Sequence, residues 1–129
     1  MLGGITNVDH TVLLCTRWAE TRAFYRDVME FPIEVDRENW VSFRVGATLL
    51  SLRPRGVLPF CDDGAGVPGA ACVQFAFQVP PPAVEECHVA LLARGVAILR
   101  GPTDIPSWRH RTLFVRDPEG NVIEIYAEI

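Results

Sequence analysis

Phe114-Val115-Arg116-Asp117-Pro118-Glu119-Gly120-Asn121-Val122-Ile123-Glu124-Ile125 is the stretch from which the rest of the chain can be read. Proline fixes a turn φ at position 118 and Gly120 accepts a positive φ, so Asp117 to Asn121 predicts a tight reversal. That turn is structural, not catalytic. It joins two strands, expected near Arg111–Arg116 and Asn121–Ala127. Upstream, Ala71–Val79 alternates as a strand, with Val73, Phe75, Phe77 and Val79 on one face. Pro80-Pro81-Pro82 introduces a helix running to about Arg94, where Gly95 supplies a left-handed stop. A strand near Val96–Arg100 follows. The second half therefore reads strand, helix, three strands.

The first half repeats that order. Val8-Asp9-His10-Thr11-Val12-Leu13-Leu14 alternates as a strand. Thr16 is placed to cap a helix from Trp18 to Met29, with Glu20 near its positive end. Trp18, Phe24, Tyr25, Val28 and Met29 recur at helical spacing, and Pro32 ends the run. Strands near Ile33–Asp36, Trp40–Val45 and Thr48–Arg53 follow, separated by Arg37-Glu38-Asn39 and by Gly46. A stretch rich in Gly, Pro and Asp, Pro54–Gly69, is the linker. Neither half can cover its sheet on both faces, so the two are expected to pack as one domain over residues 1–129. The first module covers about residues 5–53, the loop 54–69, and the second module about 70–129.

Composition narrows the partners. The 129 residues suffice for a real core, and 49% apolar with 22% charged residues describes a soluble globular chain. No apolar run is long enough to span a bilayer, and the N-terminus carries no basic segment before a hydrophobic one. A cytoplasmic location follows as an expectation. The net charge of −4 argues against nucleic acid, whose phosphates need a concentrated basic face. Cys15, Cys61, Cys72 and Cys87 form no C-x-x-C pair, which excludes a zinc knuckle or thioredoxin-type motif. They read as reduced thiols, mostly filling the core.

Three stretches carry a family resemblance: Asp9-His10-Thr11-Val12, Ala23-Phe24-Tyr25-Arg26-Asp27-Val28-Met29, and the opening quotation with its DPxGNxxE pattern. Together they resemble the vicinal oxygen chelate (glyoxalase/bleomycin-resistance/dioxygenase) superfamily over nearly the whole chain. The resemblance implies an α+β fold of two paired βαβββ modules, forming a U-shaped mixed or antiparallel sheet with the helices outside. It also implies homodimers, some of which exchange modules. Metal ligands in that superfamily come from the first and last strand of each module. Carried over, these positions are His10 and Gln74, and Ser51 and Glu124. Relatives often have histidine where Gln74 stands, and glutamate where Ser51 stands.

Imidazole and carboxylate are sound ligands for zinc, nickel, manganese or iron, and an amide oxygen suits hard ions. A serine hydroxyl is a poor ligand. The expected metal set is therefore His10, Gln74 and Glu124, with open positions for water or substrate and no organic cofactor. Glu124 and His110 are the candidate acid–base groups. Trp40, Phe43, Phe60, Trp108 and Ser51 are candidate walls of a small-molecule pocket, though aromatic residues serve a small core equally well. Arg109 and Arg111 could grip a carboxylate or phosphate, or simply be solvated.

Glyoxalase-type isomerisation is disfavoured because only Glu124 could shuttle a proton. Extradiol ring cleavage is disfavoured because one of its histidines is a glutamine here. Two readings stand above a ligand-free interaction domain. One is a metal-dependent lyase, isomerase or thiol transferase acting on a small oxygenated or electrophilic metabolite. The other is a metal-free protein that sequesters a toxic or antibiotic-like aromatic compound, as bleomycin-resistance relatives do.

Overall fold

A computed structural model of the chain describes residues 2–57, 63–67 and 69–129. It divides into two compact units, Met1–Gly66 and Val67–Ile129, each a βαβββ module of an α+β fold.

In the first unit β1 (His10–Cys15) leads into α1 (Trp18–Ala23), followed by β2 (Ile33–Arg37), β3 (Trp40–Val45) and β4 (Thr48–Pro54). The sheet order is β1-β4-β3-β2, with β1 parallel to β4 and the other pairs antiparallel. The parallel pair needs a crossover, and the helix supplies it. Past Ala23 the helix widens into a π turn, Phe24–Val28, and ends before a left-handed Glu30. Its N-cap is Arg17, one residue later than Thr16, and no side chain caps it. The Thr16 hydroxyl lies against Gly66 instead, where an added Cβ would stand 2.6 Å from Thr16 Oγ1.

Strand alternation sorts this unit into two faces. Leu13, Cys15, Val41, Phe43, Leu50 and Leu52 are buried on the helix side. Tyr25, fully buried, packs its ring 6.1–6.2 Å from Phe31 and Phe43. Burying side chains of this size stabilises by about 1.5–3 kcal/mol each. The opposite face carries His10, Val12, Trp40, Ser42 and Ser51.

The second unit repeats the plan: β5 (Gln74–Gln78), α2 (Ala83–Ala93), β6 (Ile98–Ile105), β7 (His110–Arg116) and β8 (Val122–Glu128), in the order β5-β8-β7-β6. Gly95, at φ 74°, stops α2 as expected: Val96 N donates to Leu91 O and Gly95 N to Leu92 O. Strand β6 runs past Arg100 to Ile105, through two register shifts.

The Asp117–Asn121 turn closes on itself, with Gly120 N donating to Asp117 O and Asn121 N to Asp117 Oδ1. Asn121 Oδ1 accepts from Cys72 N and Val73 N, so this loop also holds the chain entering β5. That explains why β5 starts at Gln74 and not at Ala71. Gly120 permits no side chain, because a Cβ there would sit 2.6 Å from the Gly69 backbone. Val84, Leu91, Leu113, Val115, Ile123, Ile125 and Ala127 form the core of this unit.

Candidate functional site

Register makes the two units comparable position by position. His10 pairs with Leu49 and Val12 with Ser51; Gln74 pairs with Val122 and Ala76 with Glu124. Ser51 and Glu124 thus hold equivalent places on the last strand of each module. Both lie on the sheet face turned away from that unit's helix, because Tyr25 reaches Phe43 on one face and Arg111 reaches Glu85 of α2 on the other.

In the first unit the open face holds a neutral chain. Trp40 Nε1 donates to Ser42 Oγ at 2.8 Å, and Ser42 Oγ lies 2.8 Å from Ser51 Oγ. The His10 ring meets the Trp40 ring edge-on at 6.3 Å. His10 Nδ1 is 2.9 Å from Asp9 Oδ2, a contact that puts the proton on Nδ1 and leaves Nε2 outward. His10, Trp40 and Ser51 are therefore brought together.

In the second unit the equivalent place is charged. Glu124 is only 4% exposed. Thr112 Oγ1 donates to Glu124 Oε2 at 2.7 Å, and His110 Nδ1 lies 3.1 Å from the same oxygen. Glu124 Oε1 has no protein donor among the described residues. The His110 ring stacks on Tyr126 at 3.8 Å and meets Trp108 edge-on at 6.2 Å. The two candidate acid–base residues, His110 and Glu124, thus touch. Gln74 lies exposed on the same sheet face as Glu124.

Two expected pocket residues belong elsewhere. Phe43 is fully buried on the helix side of its sheet, since alternation from Ser42 turns it to the opposite face. It is core, not pocket wall. Arg111 is likewise on the helix side, where Nε donates to Glu85 Oε1 at 2.7 Å and Nη1 to Asp104 Oδ1 at 2.9 Å. Those side-chain hydrogen bonds raise the guanidinium pKa and lower that of Glu85, so Arg111 is engaged and not available to a ligand. Phe60 and Cys61 lie outside the described residues. Of the other cysteines only Cys15 is buried; Cys72 is exposed and Cys87 half-buried.

Thr112, Ser42 and Tyr126 were not singled out from the sequence. Period-two alternation would have found them, since Thr112 follows His110, and Tyr126 follows Glu124, by two residues.

The donor chemistry of His10, Gln74 and Glu124 suits a divalent ion. His10 and Glu124 each have one atom held by a neighbour and one left open, the way ligating imidazoles and carboxylates are braced. Ser51 does not fit, because its hydroxyl is neutral and already engaged. Among the described residues no three His, Cys, Asp or Glu side chains gather as a cluster.

Comparison with known proteins agrees with this architecture. The Glyoxalase/Bleomycin resistance protein/Dioxygenase superfamily model matches residues 7–125. The virulence protein STM3117 of Salmonella typhimurium is 26% identical over 123 residues, covering 94% of this chain and 83% of its own. Its crystal structure superimposes with a TM-score of 0.72 at 25% identity, covering 97% of this chain and 98% of that one. YraH of Bacillus subtilis is 28% identical over 118 residues, covering 88% and 92%. The crystal structure of lactoylglutathione lyase from Agrobacterium tumefaciens shares the fold, with a TM-score of 0.76 at 22% identity and coverage of 96% and 95%.

Proposed function

The chain belongs to the Glyoxalase/Bleomycin resistance protein/Dioxygenase superfamily, and from that premise we propose that it is a metal-dependent enzyme for a small oxygenated or electrophilic metabolite. A lyase, isomerase or thiol-transfer step is the chemistry in view, with His10, Gln74 and Glu124 holding a divalent ion. The observation that carries this reading is the half-satisfied carboxyl of Glu124. A buried carboxylate is costly unless its oxygens are matched by donors or a cation. Thr112 and His110 hold Oε2, and Oε1, which is not among the buried unpartnered atoms, keeps the access to accept a cation or a donor from a bound molecule. A divalent ion there would polarise adjacent substrate oxygens and stabilise an oxyanion.

The chain's own residues set the rest. Thr112 and His110 fix the carboxyl in one orientation, and Tyr126 fixes the imidazole plane. With its proton on Nδ1, His110 keeps a lone pair on Nε2 that can accept a proton from a bound molecule. The same reading makes the partner a small molecule and the assembly a homodimer.

A second reading, a metal-free protein that sequesters an aromatic compound, is favoured by the neutral Trp40–Ser42–Ser51 chain and by the weak amide donor. Metal analysis separates the two. Wild-type protein should carry a divalent ion, and its Tm should rise on adding nickel, zinc or manganese. An ion at a hundred times its Kd adds about 2.7 kcal/mol. His10→Ala and Glu124→Ala should each lose both effects. No bound ion and no Tm rise would remove the enzyme reading and leave sequestration.

A further inference from the structure

A hollow of about 410 Å³ lies within the second unit, lined by Trp108, Arg109, His110, Glu128 and Ile129. We propose that it is a binding subsite for a planar aromatic monocarboxylate carrying a hydroxyl or amino group. The proposal deepens the reading above by naming a substrate class. It rests on that reading only where His110, which lines the hollow, also touches Glu124.

Arg109 is the anion-binding group. It takes a left-handed conformation, φ 56°, which a non-glycine residue adopts at a cost and which clusters at ligand sites. Its backbone is locked there: Arg109 N donates to Pro106 O at 3.0 Å, and Arg109 O accepts from Ile129 N at 2.9 Å. Its guanidinium has no acidic partner among the described residues, whereas Arg111 two residues on is bound twice. An open guanidinium on a fixed backbone suits a carboxylate, which it can grip with two parallel hydrogen bonds.

Trp108 supplies the planar surface. It is 51% exposed, yet held by perpendicular contacts to His110 at 6.2 Å and Phe114 at 6.5 Å. A large indole fixed in place and left half open offers a ring stacking area at little entropic cost. Glu128 sets the remaining preference. It stands opposite His110 across the β7–β8 pair and lines the same hollow. Its carboxylate accepts a hydrogen bond from a hydroxyl or amine, and it repels a second negative charge on the ligand. A dianion such as phosphate is therefore the poorer ligand.

The test uses metal-stripped full-length protein, so that loss of metal and loss of this subsite read out separately. Binding of 4-hydroxybenzoate, 4-hydroxybenzamide and inorganic phosphate is followed by calorimetry and by tryptophan fluorescence. 4-Hydroxybenzoate should bind at least about tenfold more tightly than the neutral amide, as expected for a charge-assisted pair, and phosphate should bind more weakly than either. Arg109→Gln should erase the benzoate-to-benzamide ratio, and Trp108→Leu should weaken both ligands and abolish the quench. Arg109→Gly removes the charge together with the left-handed strain, and serves if the glutamine variant folds poorly. Equal affinity for acid and amide, a ratio that survives in the Arg109 variants, or no saturable binding would overturn the proposal. The enzyme reading fails separately, in the metal measurements on His10→Ala and Glu124→Ala.

Discussion

The two units carry different chemistry at the same register position. Ser51 sits opposite Val12 as Glu124 sits opposite Ala76. Ser51 bonds to Ser42, which in turn accepts from the Trp40 indole N–H, all neutral; Glu124 bonds to a threonine hydroxyl and an imidazole. The backbone plan sets where a side chain of the last strand points. Its identity decides whether that place is a neutral hydrogen-bonded chain or a half-satisfied carboxyl. Duplication thus built two equivalent positions, and only the second holds a carboxyl.

Three comparisons probe this contrast. The largest effect is expected from Phe43→Ala. Truncating a fully buried phenylalanine should cost about 3–5 kcal/mol in denaturant unfolding, whereas Trp108→Ala, half exposed, should cost far less. A small loss at Phe43 would return that ring to a pocket wall and blur the distinction between the two faces.

Next, Ser51→Glu copies the second unit into the first without its imidazole. The new carboxylate would meet the Ser42 hydroxyl, while the His10 imidazole on the same face is already tied to Asp9. Urea midpoints should fall by the equivalent of about 1–3 kcal/mol, the cost of an incompletely matched buried group. Unchanged stability would mean that the first unit tolerates a carboxylate as readily as the second.

The smallest effect concerns the linker, where the first unit keeps a partly buried ion pair. Arg53 grips Asp63 through Nη1 and Nη2, each at 2.8 Å, and Gly56 N donates to Asp63 Oδ2. The Arg53 hydrogen bond, aided by that of Gly56, lowers the Asp63 pKa to about 2. A carboxyl whose folded pKa is depressed contributes fully above its ordinary pKa, and the contribution disappears as pH falls to the folded value. The stability gap between wild type and Asp63→Asn should therefore be widest above about pH 4 and close by about pH 2. A gap that does not change with pH would detach Asp63 from the fold's acid sensitivity.

Much of the fold was legible because its signals are local. The Pro118 and Gly120 turn, the Gly95 stop and the alternation of β5 and β8 each depend on neighbours a few residues away. The helix entry was less legible: Thr16 looked like a cap, but its hydroxyl lies against Gly66, fifty residues on in the chain. The same limit applies to the candidate site. His10, Gln74 and Glu124 could be named from pattern and resemblance, while the bond between His110 and Glu124 depends on how β7 pairs with β8. Phe43 and Arg111 were misplaced because residue type says nothing about which sheet face the helix covers.

By itself, then, the sequence determined two copies of a strand–helix–three-strand unit, because turn chemistry and hydrophobic period act over a few residues. Through the family resemblance it also pointed to a candidate donor set of one imidazole, one amide and one carboxylate. Only the tertiary structure decided which side chains share a face, which oxygen of Glu124 is held, and that Arg109 has no acidic partner among the described residues while Arg111 is bound. Those outcomes are set by strand register and helix placement, which join residues far apart in the chain.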